Sequence, residues 1–390
     1  MAYKVIQVGC GGHGGSWCAR FLPPNIADGL VEPVAAVDLS PDALKNAQEN
    51  LKLPSERCFT DVKKAFAAVK ADFCVIVVPP AYHEAVVDIA VAHGVHILSE
   101  KPIADTLLAS CRIALKVKRA GLKMGVTMSH RFDQDKTTLR NELRSGKYGD
   151  LDYLVSRFTC DARKFGVWGK FRHEIADTLM IEGAVHHLDI LADLAGKKCQ
   201  TLYARTWKPK WGEYKGDCQA LVTMDFGKSG PRAFYEGAKT NAVGLNGWTQ
   251  EYIRAECEKA TFVLSRRRVE AFDHDASKSW TFVEEGKGRE IPLLQQPKWA
   301  NTWLIEQFVK WLDGGPKMET NVEANLQSMA LVEAGIISSR SNEPVHVQVL
   351  LDEVMHQAQA ELTPKASKAK AKPAPKKAVK AKAPSKKKRK

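Results

Sequence analysis

Five short apolar runs, at 5–8, 33–37, 73–78, 95–98 and 123–128, alternate with segments of helical character along the start of the chain. Strand–helix alternation with short connections builds a parallel, doubly wound sheet. The helix ends carry their own chemical marks. Ser40 stands as an N-cap before Pro41 at the first helical position, and Gly94 and Gly121 close two later helices.

After Ser129 the pattern changes. A helix at 135–145 leads into strands at 153–160, 200–207, 219–226, 232–239, 252–257 and 261–265. One apolar helix, "TLMIEGAVHHLDILADLAG", lies among them, and helices at 302–313 and 323–339 close the region. Strands that follow one another with few helices between them indicate a large, mostly antiparallel sheet in an α+β domain. The expected organisation is an α/β dinucleotide-binding domain over 1–126, a substrate-binding and oligomerisation α+β domain over 127–350, and a disordered basic tail over 363–390.

The net charge of +13 suggests a nucleic-acid binder until it is located. Residues 363–390 hold thirteen Lys and Arg and no acid, which leaves 45 basic side chains against 45 acidic ones in the body. The Lys/Ala/Pro tail has almost nothing apolar to bury and is expected to be disordered. Its charge suits non-specific polyanion contact, and "KKKRK" suits nuclear import; a solvated extension with no defined partner stands beside both. Nine cysteines without a C-x-x-C spacing point to a reducing compartment rather than a metal or redox pair. With no signal-like N-terminus and no long apolar stretch, a soluble cytoplasmic protein without membrane contact is expected, nuclear or nucleoid association being the tail's alternative.

The first apolar run ends in Gly9-Cys10-Gly11-Gly12-His13-Gly14, a G-x-G-x-x-G between a strand and a helix. The first glycine permits a tight turn, the second a close approach of backbone to a diphosphate, and the third close helix–strand packing. Asp38 ends the second strand, where a carboxylate can bind an adenine-ribose diol; it could equally serve as a turn residue or cap. The following Leu39-Ser40-Pro41 offers no Arg for a 2′-phosphate, so NAD is favoured over NADP. In open α/β sheets the ligand lies outside the carboxyl ends of the strands. That places Val78-Pro79 and Ser99-Glu100-Lys101-Pro102 at the crevice too.

These residues resemble the Gfo/Idh/MocA oxidoreductases. The glycine loop, Asp38 and "VVPPAYHEAVVDIAVAHGVHILSEKP" follow the family's order, with His83 and Glu100 at the family's separation. "MSHRF" around Arg131 and "EGAVHHLD" (182–189) are similar to segments of its second domain. The resemblance covers about 1–345 and implies an NAD-bound Rossmann domain with a mixed-sheet domain whose open face mediates oligomerisation, as a dimer or tetramer. It implies cofactor contacts from Gly9, Gly11, Gly12, His13, Gly14, Asp38, Val78, Pro79, His83, Glu100 and Lys101. Lys101 matches the lysine beside the nicotinamide, and His186 matches the catalytic histidine. Glu182 stands where many members carry aspartate.

Oxidising an alcohol removes a hydride from carbon and a proton from oxygen. His186 is the expected proton acceptor, Lys101 the orienter of the developing alkoxide, and Glu182 the group that holds His186 or a substrate hydroxyl. Glu182 and His186 are spaced i, i+4 and share a helical face. A lone histidine in an apolar helix is otherwise a core residue, and a lysine ending a strand is otherwise a solvated charge. The irregular "DARKFGVWGKFRHE" (161–174) is expected to border the substrate through Arg163, Trp168 and Arg172, with Arg131 and His187 as further contacts; a plain surface loop fits nearly as well. No metal is expected, since ligands spread over one helix cannot converge on one ion. The expected function is an NAD-dependent dehydrogenase of a sugar, cyclitol or sugar derivative. The alternatives are an NAD-dependent glycoside hydrolase acting by transient oxidation and elimination, and a non-catalytic sensor or nucleic-acid-associated protein using the tail.

Overall fold

A computed structural model of the chain describes residues 2–166 and 169–363. The first sheet contains β1 (Tyr3–Val8), β2 (Val31–Val37), β3 (Cys58–Phe59), β4 (Phe73–Ile76), β5 (His96–Ser99) and β6 (Met124–Val126). All its neighbours are parallel, in the order β3-β2-β1-β4-β5-β6. All four β4 side chains are buried, because helices cover both faces, which explains the continuous apolar run. The strand order reverses between β1 and β4, and a crevice opens at such a switch point.

The predicted helix signals act as expected. The Ser40 side chain accepts from the Ala43 N–H at 3.4 Å, and Thr106 accepts from Ala109 at 3.2 Å. Gly94 and Gly121 take φ of +67° and +65° just past their helices. The differences are local. The strand expected over 73–78 stops at Ile76, since Pro79 and Pro80 have no N–H to continue a ladder. The first helix starts inside the glycine loop at His13 and runs through a π-helical turn, Trp17–Phe21, to Ala27. The short β3 and helix Val62–Ala68 carry too few residues to show a period.

The second sheet contains β7 (Leu151–Thr159), β8 (Thr201–Trp207), β9 (Gln219–Asp225), β10 (Arg232–Ala238), β11 (Tyr252–Cys257), β12 (Ala260–Ser265), β13 (Arg268–Asp273), β14 (Arg289–Ile291) and β15 (Val345–His346). Its order is β14-β13-β12-β11-β7-β10-β9-β8-β15, antiparallel throughout except for the β7–β10 pair. The last three helices among the described residues pack against the elements around both sheets. Helix Ala300–Leu312 turns Phe308 against Phe73 of β4, edge to face at 5.4 Å. Helix Val322–Ser341 packs on both β8 and helix Leu107–Arg119. Helix Val347–Leu362 extends past the expected limit of 350 and lies along helix Leu107–Arg119, where Arg112 pairs with Glu361 at 3.0 Å. Among the described residues no helix is long and apolar enough to cross a membrane. The polyanion contact and disorder expected of the tail fall on residues outside those described, apart from Thr363.

Candidate active site

The glycine loop is shaped by contacts that leave no room for side chains. Gly9 has φ +86°, and a Cβ there would lie 2.1 Å from the Val77 carbonyl oxygen. A Cβ on Gly14 would lie 2.2 Å from the Gly9 carbonyl oxygen. Helix, loop and β4 therefore approach as closely as backbone permits. The outer side of the loop is open: a Cβ at Gly12 meets nothing within 4 Å. Asp38 accepts from the Cys10 and Gly11 N–H groups at 2.7 and 3.0 Å through one oxygen and from Ser40 N–H at 2.8 Å through the other. An open, side-chain-free loop beside a strand-end carboxylate fits the diphosphate and ribose of a dinucleotide.

Gly11, Gly12, His13 and Gly14 line one end of a cleft of about 650 Å³; Lys101, Glu182 and His186 line the same cleft. Glu100 joins the two ends. Its carboxylate takes His13 Nε2 at 3.0 Å, Trp17 Nε1 at 2.8 Å and the Lys101 N–H at 3.1 Å. Burial pushes the Glu100 pKa up, but His13, Lys101 and Trp17 more than offset it and hold it at about 2. Glu100 is thus a fixed anion that locks the loop helix to the turn carrying Lys101.

Lys101 crosses from the end of β5 to the opposite wall. Its Nζ donates to the Glu182 main-chain carbonyl at 3.1 Å and lies 4.0 Å from Glu182 Oε2. Arg172, from the short helix Lys170–Glu174, donates to that same carboxylate oxygen at 2.8 Å. Burial raises the Glu182 pKa, yet Lys101, Arg172 and Lys239 outweigh it and the net shift is downward. Glu182 is therefore committed to cations, and no hydrogen bond joins it to His186. The reason is local: Met180–Ala184 is a π-helical turn, so the i, i+4 geometry of a regular helix does not apply.

His186 is held instead by stacking. Its ring lies on that of His130, with centroids 4.0 Å apart and planes 12° apart, and its Nδ1 is buried without a hydrogen-bond partner. Burial first, then the neighbouring His130, Lys101 and His187, push its pKa well below 6.5. The surroundings of the ring therefore favour its neutral form. Behind the pair, Glu251 lies 3.0 Å from His130 Nδ1 and 3.0 Å from the Lys136 ammonium.

The NAD-binding Rossmann model of the Gfo/Idh/MocA oxidoreductases matches residues 4–128, and the family's C-terminal alpha/beta domain model matches 140–347. The chain belongs to the Gfo/Idh/MocA oxidoreductase family. An uncharacterized protein, y4oX, of Sinorhizobium fredii is 52% identical over 351 residues, covering 90% of this chain and 97% of its own. The 1-carboxy-3-chloro-3,4-dihydroxycyclohexa-1,5-diene dehydrogenase of Comamonas testosteroni is 24% identical, covering 77% of this chain and 70% of its own. The fold is similar, at a TM-score of 0.75 and 21% identity, to an Agrobacterium radiobacter oxidoreductase crystallised with NAD+, L-tartaric acid and magnesium; 90% of this chain and 100% of that one are covered.

Within this Gfo/Idh/MocA oxidoreductase several residues named from sequence stand away from the cleft. His83 is fully buried behind the 77–80 turn, its ring nitrogens 2.8 Å from the Val78 carbonyl and 3.1 Å from that of Ile103; it supports the cleft wall formed by Val78 and Pro79 without lining it. Arg131 does not line the cleft. Its guanidinium grips Asp189 at 2.5 and 2.9 Å, a fork-to-fork pair that satisfies both groups on the far side of the helix. Arg163 donates to the Thr240 and Asn241 carbonyls at 3.2 and 3.1 Å. His187 points into the core, its Nδ1 2.9 Å from the Tyr235 hydroxyl. Trp168 lies outside the described residues. Of the expected substrate contacts, Arg172 lines the cleft.

The cleft residues that sequence reasoning did not name include His130, Lys239 and Trp248. His130 neighbours Arg131 in "MSHRF", and a 3₁₀ turn at Ser129–Phe132 sends the two side chains opposite ways. Lys239 follows directly on β10, whose alternation of exposed and buried residues, with Arg232 and Glu236 among them, gives no apolar run to mark its end. His130, His187 and Glu251 present ligand-type atoms within 4.8 Å of one another. The Lys136 ammonium lies 3.0 Å from Glu251 but also 3.1 Å from Asp133 and 3.6 Å from Asp135, so one buried cation is shared among three carboxylates.

Proposed function

We propose that this oxidoreductase moves a hydride between a secondary hydroxyl of a sugar, cyclitol or sugar derivative and NAD. The observation that supports this most is the single cleft shared by the glycine loop, Lys101 and His186. Bound NAD supplies a nicotinamide ring that exchanges the hydride. The chain's own residues handle the proton and the geometry. As the carbinol C–H bond breaks and the carbonyl forms, the hydroxyl proton passes to the neutral His186 imidazole. Lys101 is anchored through Glu182 and presents an ammonium that favours the developing alkoxide. Glu182, held by Arg172, fixes where that ammonium can stand. Val78 and Pro79, kept in place by His83, form the wall against which the cofactor would rest.

A panel of polyols, aldoses and sugar acids assayed for growth of the reduced-nicotinamide absorbance tests the reading. Growth with at least one compound, lost on replacing His186 by Asn, is the expected result. Release of an aglycone without net NAD reduction would replace the dehydrogenase by the transient-oxidation hydrolase. On the second sheet, Trp207, Leu221 and Phe234 expose apolar surface on β8, β9 and β10, which supports a homo-oligomer through that face. Light scattering tests it, with a monomer mass as the contrary outcome.

A further inference from the structure

Between Lys239 and Trp248, which both line the cleft, the chain makes a loop whose tip reads Ala242-Val243-Gly244-Leu245. All four residues are exposed, Val243 at 62% and Leu245 at 60%. The loop is nevertheless pinned at both feet. The Thr159 N–H donates to the Asn246 carbonyl at 3.0 Å, and the Thr159 hydroxyl accepts from the Leu245 and Asn246 N–H groups at 3.3 and 3.2 Å. On the other side the Asn241 N–H donates to the Cys160 carbonyl at 3.1 Å. Trp211, from the segment after β8, donates its Nε1–H to the Thr240 carbonyl at 2.8 Å and is itself 58% exposed.

Apolar residues scattered singly over a surface need no explanation, but a run of consecutive ones does. The polar groups at the foot of this loop are already spent on one another. Arg163 Nε donates to the Thr240 and Asn241 carbonyls at 3.2 and 3.1 Å, and Trp211 shares the first of these. What Val243, Leu245 and the indole of Trp211 offer a ligand is aliphatic and aromatic surface. That surface suits an apolar group better than a second sugar, whose hydroxyls lose water and need partners in return. Both ends of the loop stand in the wall of the cleft that holds Lys101 and His186. A group resting on the tip can therefore belong to the same molecule as the reacting hydroxyl.

We propose that Val243, Leu245 and Trp211 form a subsite for an apolar aglycone, so that the substrate is a glycoside whose sugar ring enters the cleft while its aryl or alkyl group rests on the loop. This rests on the hydride-transfer reading of the same cleft and adds the substrate class to it. The glycosidic bond is not touched in the step: a carbinol C–H of the sugar gives its hydride to NAD, the hydroxyl proton passes to His186, and the product is the keto-glycoside.

The test compares methyl, hexyl and phenyl glycosides of glucose, galactose and mannose. Each is assayed for NAD reduction by the full chain and for calorimetric binding to the chain loaded with NADH. A fully buried methylene is worth about threefold to fourfold in affinity, so a preference of about tenfold or more for the hexyl or phenyl compound over the methyl one is expected in at least one series. Val243→Ser and Leu245→Ser, both at exposed positions that the fold tolerates, are expected together to bring that ratio of kcat/KM or Kd toward one. Equal use of all three aglycones, a double variant that keeps the preference, or failure of every glycoside to bind would overturn the inference. A disaccharide preferred over the hexyl glycoside would overturn the apolar assignment. A double variant that loses oligomer mass in light scattering while keeping the ratio would give the loop to a second copy of the chain instead. Aglycone-selective binding that the double variant loses, without NAD reduction by any compound, would leave the subsite standing and remove the hydride-transfer reading. NAD reduction that ignores the aglycone would do the reverse.

Discussion

The Lys101 ammonium donates to the main-chain carbonyl of Glu182 at 3.1 Å, joining the end of a Rossmann strand to the turn that precedes His186. A strand-end cation of the first sheet and an imidazole of the second region are thereby set on one wall of one cleft. Replacing Lys101 by Met is expected to lower kcat by about a hundred- to ten-thousandfold, the range usual for loss of a positioned charge or proton-transfer partner. NADH titration should show a much smaller loss of cofactor affinity. Equal losses in both would mean that Lys101 acts mainly on the cofactor.

The pH dependence of turnover follows from the depressed pKa of His186. Burial, followed by His130, Lys101 and His187, keeps the ring neutral below its ordinary value of 6.5. The base form therefore persists to lower pH, and the acid limb of kcat/KM for alcohol oxidation should lie well below pH 6.5. Of the named neighbours Glu251 alone pulls the other way, so Glu251→Gln should move the limb further down. A limb at pH 6.5 or above in the parent enzyme would contradict the assignment of His186 as base.

Stability should respond to the same burial. His83 and His186 are held below 6.5 chiefly by desolvation, and His187 lies at about 4. Below pH 6.5 the unfolded chain binds protons at these sites that the folded chain refuses. Stability is thus complete above about pH 6.5 and falls as pH drops toward 4, by at most about 1.4 kcal/mol per pH unit for each histidine. Denaturant unfolding followed by circular dichroism across that window measures the slope; a flat profile would show that these rings protonate in the folded state.

Two glycines of the loop make opposite demands. Gly14→Ala drives a Cβ to 2.2 Å from the Gly9 carbonyl and should abolish NADH binding with a large loss of Tm. Gly12→Ala meets no neighbouring atom, but at φ +51°, ψ −117° it is strained and should cost about 1–3 kcal/mol without a clash. Thermal unfolding and NADH titration of the two variants check the order, and a milder effect at Gly14 would refute the close packing of loop and helix.

Arg131 is predicted to act on stability rather than on substrate. Arg131→Ala would leave Asp189 buried with its counter-charge removed, a loss of about 3–5 kcal/mol. Ser328, which donates to Asp189 at 2.5 Å, and Asn325 soften but do not replace the fork. Chemical denaturation measures the loss. An unchanged midpoint with a raised substrate KM would return Arg131 to the substrate side.

The Rossmann half was legible because its signals are local. A strand end, a glycine spacing, a cap and a closing glycine lie within a few residues of one another, and parallel strands buried on both faces show as unbroken apolar runs. The ends of the second sheet were not legible, since β14 and β15 are two or three residues long and form only by pairing with distant strands. The candidate site divides along the same line. Lys101 and His186 could be named from their neighbours in the chain. Arg131, Arg163 and His187 carry the right chemistry but point elsewhere, because a 3₁₀ turn, a loop and the far face of a helix set their directions.

By itself, then, the order of residues determined the parallel sheet and the dinucleotide loop, both encoded in short-range pattern, while Lys101 and His186 stood out through their match to the family's motifs. Only the tertiary structure decided that Glu182 serves cations rather than His186, that His130 stacks on His186, and that Lys239 lines the cleft. These are contacts between groups tens of residues apart, governed by burial and charge that no local spacing records.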